Sequence, residues 1–326
     1  MLGYVARRIV FLVPLLLGIT AVSFGLMHLA PGSPVELYTE MNPKAGAEFR
    51  ERFERYYGLD QPLPIQYVQW LGRVVRLDLG TSLSPDRRPV WEKVAERLPV
   101  TLLINALSLG LILTVALPLG ALSAVWRGSG FDRVTTVVVF AGFSVPSFWL
   151  ALLLMKGLGV ELGWLPVSGL QSLDHRSLGA WARLGDRVRH LILPVTVSAF
   201  GGLAGISRYM RSSMLETIEQ DYITAARARG VSEGKVIFVH ALRNSLLPIV
   251  TQMGFWVPAL VGGSVIFETV FAVPGMGQLF YQAVMARDYP VIQGVLLLGS
   301  ALTLAGNLVA DITYALVDPR VRLGRG

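Results

Sequence analysis

The residues best suited to chemistry lie in one short stretch, from Gly230 to Val236. It resembles a phosphate-binding loop, in which glycines cradle phosphates, a lysine reaches them and a following Ser or Thr holds magnesium. The glycine spacing differs from that motif, and Val236 stands where the magnesium ligand would be. The stretch therefore predicts no nucleotide site, and any use of ATP would require another chain.

Other reactive groups are scarce. The chain has no cysteine, which excludes disulfides, thiolate catalysis and zinc–sulfur sites. Neither a nucleophile elbow nor a His-Glu-x-x-His motif is present. The four histidines are widely spaced and predict no metal site: His28, His175, His190 and His240. We therefore expect no enzyme activity, no catalytic residue, no metal and no cofactor in this chain.

The composition indicates a membrane protein. Of the 326 residues, 53% are hydrophobic and 16% are charged, and the mean hydropathy is +0.54. Soluble domains carry about 25% charged residues, so the apolar surplus is expected to face lipid. The net charge of +7 fits basic loops that orient membrane helices. No basic patch interleaved with aromatic residues predicts a nucleic-acid partner.

Six stretches are long and apolar enough to cross a bilayer core of about 30 Å as helices. They cover residues 8–29, 100–125, 134–157, 190–210, 246–268 and 291–316. Backbone groups in lipid must be paired internally, so the expected fold class is all-α. The first stretch follows Arg7 and Arg8 as in a signal peptide, but its apolar run is longer, which favours a retained helix.

Lysine and arginine predict the orientation. With the N-terminus inside, the inner segments hold 13 of these residues and the two shorter outer loops hold 6. This bias predicts that both termini are cytoplasmic. Ion-driven pumps keep charged relays within their helices, whereas these six stretches offer mainly Asn105, Gln252 and Asn307 at depth. The pattern argues against an intrinsic ion-driven mechanism.

The inner segment 211–246 predicts a helix–turn–helix at the membrane surface. The stretch from Asp221 to Lys235 begins with residues rich in alanine and arginine, which favour a helix, and Gly230 suits the left-handed position just past its end. Ser232 can cap a second helix, with Glu233 in the first turn. From these residues alone, an interfacial helix without a partner and a docking site for another protein are both open.

The same segment resembles a known family. Ala225 and Ala226, followed after three residues by Gly230, resemble the conserved loop of permease subunits in bacterial ABC importers. The continuation from His240 to Pro248 is similar to the dipeptide, oligopeptide and nickel subgroup. Thr224 stands where many members have Glu, so the resemblance implies no ion pair from that position.

The resemblance covers nearly the whole chain. Further segments similar to the subgroup follow in order: Pro31–Pro34, Tyr57–Tyr67, Asp78–Ser82, Pro146–Trp149, Glu268–Gly277, Arg287–Pro290 and Asp318–Arg320. It implies a type I ABC importer-like transmembrane domain. It also implies that a coupling helix docks into a groove of an ATPase, through residues Thr224, Ala225, Ala226, Arg227, Arg229, Gly230 and Ser232.

The apolar stretches and the polar segments between them predict a domain organisation: the N-terminus and first helix at 1–29, an extracytoplasmic cap at 30–98, a five-helix core at 99–318 with the coupling loop 211–246, and a cytoplasmic tail at 319–326. The cap either packs over helix ends or also contacts a binding protein. The loop 271–290 either dips toward the pore or lies at the interface. Glu268 is a candidate for lining an outer gate; the alternative is a helix-end charge among the lipid headgroups.

The expected function is a permease subunit of an ATP-driven importer in the bacterial inner membrane, working by alternating access. The implied partners are the lipid bilayer, a second homologous permease, two ATPase subunits or domains that bind ATP and magnesium, and an extracytoplasmic substrate-binding protein. The implied substrates are dipeptides or oligopeptides, with nickel chelates, glutathione and oligosaccharides open within the subgroup. A stand-alone channel or facilitator and a membrane scaffold or sensor are the rival classes.

Overall fold

The computed structural model describes residues 2–29, 35–36, 51–52, 54–55, 58–256 and 258–317. In this part of the chain the regular structure is helical, and the one β-type pairing is an isolated bridge between Thr81 and Pro89. The segment Pro31–Pro34 and the tail 319–326 lie outside the described residues. The helices are α1 (Leu2–Leu29), α2 (Leu63–Val75), α3 (Val90–Val125), α4 (Gly130–Ser144), α5 (Ser147–Leu154), α6 (Ala180–Ile218), α7 (Asp221–Ala228), α8 (Glu233–Lys235), α9 (Leu242–Ser245), α10 (Leu247–Trp256), α11 (Val265–Val270), α12 (Met276–Met285) and α13 (Tyr289–Val317).

Four of these helices, α1, α3, α6 and α13, are long and apolar enough to cross a membrane unaided. They match the first, second, fourth and sixth expected spans. Both α3, with 36 residues, and α6, with 39, begin about ten residues before the expected span. Each is therefore more than 50 Å long and extends beyond a bilayer core of about 30 Å. The last residues of the expected cap, from Val90 onward, belong to α3.

The third expected span is a bent pair of helices. α4 and α5 meet at an angle of 102°, and α5 continues as a π-helical segment, Met155–Glu161. Pro146 lies at the bend. A proline lacks an N–H donor and pushes the preceding residue, here Val145, out of the helical region, so the single helix expected over 134–157 is divided.

The fifth expected span is also interrupted. α10 ends at Trp256, a 3₁₀ turn covers Pro258–Leu260, and α11 begins only at Val265. Gly262 and Gly263 lie between the turn and α11. Proline and glycine both disfavour a helix interior, which explains why the apolar run 246–268 is not one helix.

The pair α3 and α6 forms the centre of the fold. The two helices approach closely at small residues: a Cβ added at Gly120 would lie 2.3 Å from the carbonyl oxygen of Ser207, and one at Gly202 would lie 2.4 Å from Ile112. Small residues at such crossings let membrane helices pack backbone to backbone. α3 and α6 are therefore suited to move as one unit.

Candidate functional site

The coupling loop turns at Gly230. This residue has φ of +78°, and its N–H donates to the carbonyl of Arg227 at 2.9 Å. The N–H of Val231 donates to the carbonyl of Ala226 at 3.3 Å. These two bonds close the end of α7 in the pattern that a left-handed glycine allows. The prediction that Gly230 occupies the left-handed position just past a helix is confirmed.

The helix α7 has one buried and one exposed face. Ile223 and Ala226 are 0% and 3% exposed, respectively, while Thr224 and Ala225 are exposed. The two alanines therefore have different roles. Ala226 is small because it packs within this chain, and only Ala225 presents its methyl group to an approaching surface.

The buried face of α7 lies on what we term the inner cluster. Its buried members are Ala121 and Ala124 of α3, Met210 and Met214 of α6, Ile223 and Ala226 of α7, and Val236, Ala241 and Ile249. α7 thus rests on the inner ends of both central helices. A displacement of α7 has to move these ends, because close-packed side chains transmit shifts rather than absorb them.

The charged groups of the loop are largely occupied within it. Arg227 binds Glu233 across the turn through two hydrogen bonds of 2.7 and 3.1 Å. These bonds from the guanidinium lower the pKa of the Glu233 carboxyl. The Nε of Arg229 donates to the carbonyl of Ala225 at 3.2 Å. The role of Arg227 and Arg229 toward an ATPase stays a prediction.

Ser232 stands at the start of α8, as expected, but its hydroxyl makes no capping hydrogen bond. Its carbonyl instead accepts from the N–H groups of Lys235 and Val236, at 2.9 and 3.0 Å. The second helix is also short, because α8 passes directly into a π-helical segment, Val236–Ala241. The side-chain cap expected from Ser232 is therefore absent, and its carbonyl only starts the helical hydrogen-bond series.

A buried ion pair fastens the loop between α3 and α4 beside the inner cluster. Asp132 is 5% exposed, and Arg211 of α6 binds both of its carboxylate oxygens at 2.7 and 2.9 Å. The hydroxyl of Ser123 and the N–H of Gly128 also donate to the carboxylate. The bonds from Arg211 hold the pKa of Asp132 well below its usual range. Neither residue stood out in the sequence, because Arg211 is one of many basic residues of the inner segments and Asp132 lies in none of the motifs.

Glu268 is buried on the other side of the molecule. It is 6% exposed, accepts from the hydroxyl of Thr101 at 3.0 Å, and accepts from the N–H of Gln278 at 2.8 Å. The N–H of Met276 in turn donates to Thr101 at 2.8 Å. The carboxylate lies at the N-terminus of α12, where the helix dipole favours negative charge. Glu268 thus joins α3, α11 and α12, and is not a charge exposed to headgroups.

Two glycines make this outer anchor possible. A Cβ at Gly275 would lie 2.4 Å from the carboxylate carbon of Glu268, and one at Gly263 would lie 2.3 Å from the backbone nitrogen of Gly277. Real Cβ atoms do not approach other atoms so closely. We define the outer anchor as Thr101, Gly263, Glu268 and residues 275–278.

A second buried carboxylate on the outer side fixes the cap. Asp288, 1% exposed, accepts from the N–H of Leu83 and the hydroxyl of Ser84, both at 3.0 Å, and also binds the hydroxyl of Ser82. Lys93 of α3 pairs with Asp86 of the same loop at 2.9 Å. Sequence reasoning placed Asp288 and Ser82 in motifs but did not bring them together, because they are more than 200 positions apart.

Comparison with known proteins gives matches along the full chain. Residues 116–323 match the model of the family described as binding-protein-dependent transport system inner membrane component, and residues 1–105 match that of its N-terminal part. The oligopeptide transport system permease protein AppB of Bacillus subtilis is 44% identical, covering 98% of this chain and 99% of that protein. The di/tripeptide transport system permease protein DppB of Pseudomonas aeruginosa is 39% identical, covering 99% of each.

Among solved structures, an inward-facing form of the MetNI methionine ABC transporter is similar in fold. The TM-score is 0.54 with 22% sequence identity, and the match covers 69% of this chain and 96% of that one. At this identity the likeness shows the fold alone. It confirms the expected type I importer-like transmembrane architecture.

Proposed function

Because this chain belongs to the family of binding-protein-dependent transport system inner membrane components, we propose that it is the permease subunit of a peptide importer, driven by ATPase subunits that dock on α7. The observation that carries the substrate class is the full-length identity of 39–44% to permeases of oligopeptide and di/tripeptide transport. The observation that carries the docking site is the exposed face of α7 above the inner cluster.

The permease is a multi-pass membrane protein, and in this proposal another subunit supplies the energy for transport. Moving a two-state equilibrium from 1:99 to 99:1 requires about 5.5 kcal/mol of differential binding energy. The stretch Gly230–Val236 lacks the magnesium ligand of a phosphate-binding loop, which supports a separate ATPase that holds ATP and magnesium. The further partners in this proposal are a second homologous permease and an extracytoplasmic binding protein, in a bacterial inner membrane with both termini cytoplasmic.

The contacts suggest how force would cross the membrane. An ATPase that moves α7 would push Ile223 and Ala226 against Met210 and Met214 at the inner end of α6. The close packing of α3 on α6 would carry this shift outward to Thr101, the part of the outer anchor that lies on α3 and bonds to Glu268. Alternating access then becomes a movement of the central pair relative to α11 and α12.

The turn at Gly230 provides the test. A Gly230→Val variant should still insert into the membrane, but a β-branched residue at a φ of +78° is strained and would displace α7. ATP-driven peptide uptake by the assembled transporter should fall by more than about tenfold, which corresponds to about 1.4 kcal/mol of lost coupling. Gly230→Asn is the matched control, because asparagine tolerates the left-handed region.

Several outcomes separate the rival functions. Normal ATP-driven uptake by Gly230→Val would contradict the coupling role. Peptide flux through the permease in vesicles without any ATPase would favour a channel or facilitator, and no flux under any condition would favour a scaffold. ATP-driven uptake of a labelled nickel chelate, glutathione or oligosaccharide, with no uptake of labelled peptide, would identify that substrate instead.

A further inference from the structure

The fifth span is interrupted at residues 258–264, which we call the span break. Such a break leaves backbone carbonyls without partners in the helix, and inside a bilayer these groups need another donor. Burying an unpaired polar group is costly. The stability of the interrupted span therefore depends on which group donates hydrogen bonds to the carbonyls of the span break.

A single side chain on another helix supplies that donor. The amide nitrogen of Asn105 on α3 lies 3.3 Å from the carbonyl oxygen of Ala259, 2.8 Å from that of Leu260 and 3.0 Å from that of Gly262. An amide NH₂ carries two hydrogens, so the three carbonyls share them. Asn105, one of the few polar residues expected at membrane depth, thus fastens the span break to α3.

Asn105 also stands between two cavities of different size. On the side of the coupling loop, a cavity of about 320 Å³ is lined by residues such as Leu109 and Trp256. On the side of Glu268, a cavity of about 20 Å³ includes Ser264. Asn105 lines both. The larger volume is in the range of small-molecule sites, whereas the smaller one holds about one water molecule.

We propose that Asn105 is a positioning residue for transport, whose amide holds the span break as a barrier between the two cavities. This inference rests on the proposed permease function. Opening a path from the larger cavity toward the outer anchor requires the carbonyls of the span break to leave the amide. The strength of these hydrogen bonds therefore sets how often the barrier opens.

Two substitutions at Asn105 separate the effect of its hydrogen-bond donor from the effect of its side-chain size. Asn105→Asp keeps the size but, when ionised, presents only acceptor oxygens to three carbonyl oxygens. Asn105→Leu removes the donor and the charge together. Thr114→Val on the same helix is the matched control, because the Thr114 hydroxyl bonds only to carbonyls of its own helix, those of Gly110 and Leu111.

The absence of cysteine in this chain allows a direct measurement. Ser264→Cys reports on the small cavity, and Leu109→Cys reports on the large one. Each single-cysteine transporter, assembled with its partner subunits, is placed in vesicles and exposed to a membrane-impermeant maleimide from the side of the coupling loop. The rate of labelling is measured without ATP, in the three backgrounds Asn105→Leu, Asn105→Asp and Thr114→Val and in the otherwise unchanged chain.

In the otherwise unchanged chain we expect fast labelling at position 109 and slow labelling at position 264. Asn105→Leu and Asn105→Asp should raise the rate at position 264 by about tenfold, equivalent to about 1.4 kcal/mol, and leave position 109 unchanged. Thr114→Val should change neither rate. Unchanged labelling at position 264 in both Asn105 variants would overturn the inference, and so would an equal rise at both positions, which indicates general loosening.

This outcome is independent of the transported substrate. If the labelling pattern holds but peptides are not taken up, the proposed function fails and the barrier stands. If ATP-driven peptide uptake is normal in Asn105→Leu and position 264 stays protected, the barrier fails and the proposed function stands.

Discussion

The coupling loop and the outer anchor are both built around a glycine and a glutamate, but they use them in opposite ways. In the coupling loop, Gly230 is exposed, with no heavy atom within 4 Å of an added Cβ, and the side chain of Glu233 is 57% exposed. In the outer anchor, Gly275 touches the carboxylate of Glu268, which is 6% exposed. One region presents a surface, and the other encloses a charge.

The difference indicates where each region derives its stability. The outer anchor depends on buried hydrogen bonds, and a buried polar group that loses its partners is expensive. The coupling loop depends on the apolar contacts below α7 and leaves its outer face free for another protein. Changes in the outer anchor should therefore reduce folding, whereas changes on the exposed face of α7 should reduce coupling and leave the fold intact.

The largest effect should come from Gly275→Ala. The added methyl group would overlap the Glu268 carboxylate and push it from the N–H of Gln278. We expect the free energy of unfolding to fall by about 3 kcal/mol, from overpacking and from the weakened binding of a buried charge. Thermal unfolding in detergent measures this. Gly179→Ala is the control, because an added Cβ there has nothing within 4 Å.

A variant Gly275→Ala that unfolds within about 2 °C of the unchanged chain would contradict the view that the outer anchor is tightly packed. Such a result would mean that the outer anchor, like the coupling loop, accommodates an added side chain without loss of stability.

Asp132→Asn should have the next largest effect, because it breaks a buried ion pair on the inner side. We expect a loss of about 2 kcal/mol, below the roughly 3–5 kcal/mol for fully buried pairs, because the Arg211 side chain is 31% exposed. Glu219→Gln is the matched control. It breaks the pair with Arg127, whose side chains are 64% and 69% exposed, and should cost no more than about 0.5 kcal/mol.

The pH dependence of Asp132 gives an independent check. Arg211 lowers the pKa of Asp132 in the folded protein, so its contribution to stability is fully present above the unfolded pKa of about 3.9. The contribution is lost as the pH falls through the folded pKa. The difference between the unchanged chain and Asp132→Asn should stay constant above about pH 5 and shrink in acid. A difference that first appears between pH 6 and 8 would point to another group.

The coupling loop and the buried carboxylates differ in how far the sequence could predict them. The left-handed position of Gly230 follows from local backbone preferences, and it was predicted correctly. The burial of Glu268 and the pairing of Asp132 with Arg211 depend on residues far away in the chain, 167 positions in the case of Thr101 and Glu268. No local pattern brings such partners together.

The spans show the same limit. Hydropathy located the four helices that can cross a membrane unaided and the bent pair, because it measures the apolar composition that a bilayer requires. It did not show that the third and fifth expected spans are interrupted. Pro146 and Pro258 were visible in the sequence, but Pro14, Pro118 and Pro194 lie within continuous helices. After Pro258, the amide of Asn105 satisfies the freed backbone carbonyls, which makes the interruption tolerable within a bilayer.

The two neighbouring alanines of α7 allow a packed surface and an exposed surface to be compared within one helix. Ala226→Leu inserts a large side chain into the inner cluster and should lower the free energy of unfolding by about 1–3 kcal/mol. Ala225→Leu adds the same atoms to the exposed face and should leave the thermal midpoint unchanged. It should instead reduce co-purification of the ATPase subunits. Equal thermal midpoints for both variants would contradict the division of α7 into a packing face and a docking face.

The smallest effect on stability is expected from Glu233→Gln, which removes the ion pair across the turn at Gly230. Arg227 lowers the pKa of Glu233, so any stabilisation exists above the unfolded pKa of about 4.3 and disappears as the pH falls through the lower, folded value. Both side chains are well exposed, at 39% and 57%, so water and salt compete with the pair. The thermal midpoint of Glu233→Gln should match that of the unchanged chain at neutral pH. The backbone bonds of Gly230 and Val231 keep the turn closed without the pair, and ATPase binding should therefore persist. If Glu233→Gln abolishes ATPase binding without changing the thermal midpoint, the Glu233 carboxylate itself contacts the partner, and the docking face extends past the turn to α8.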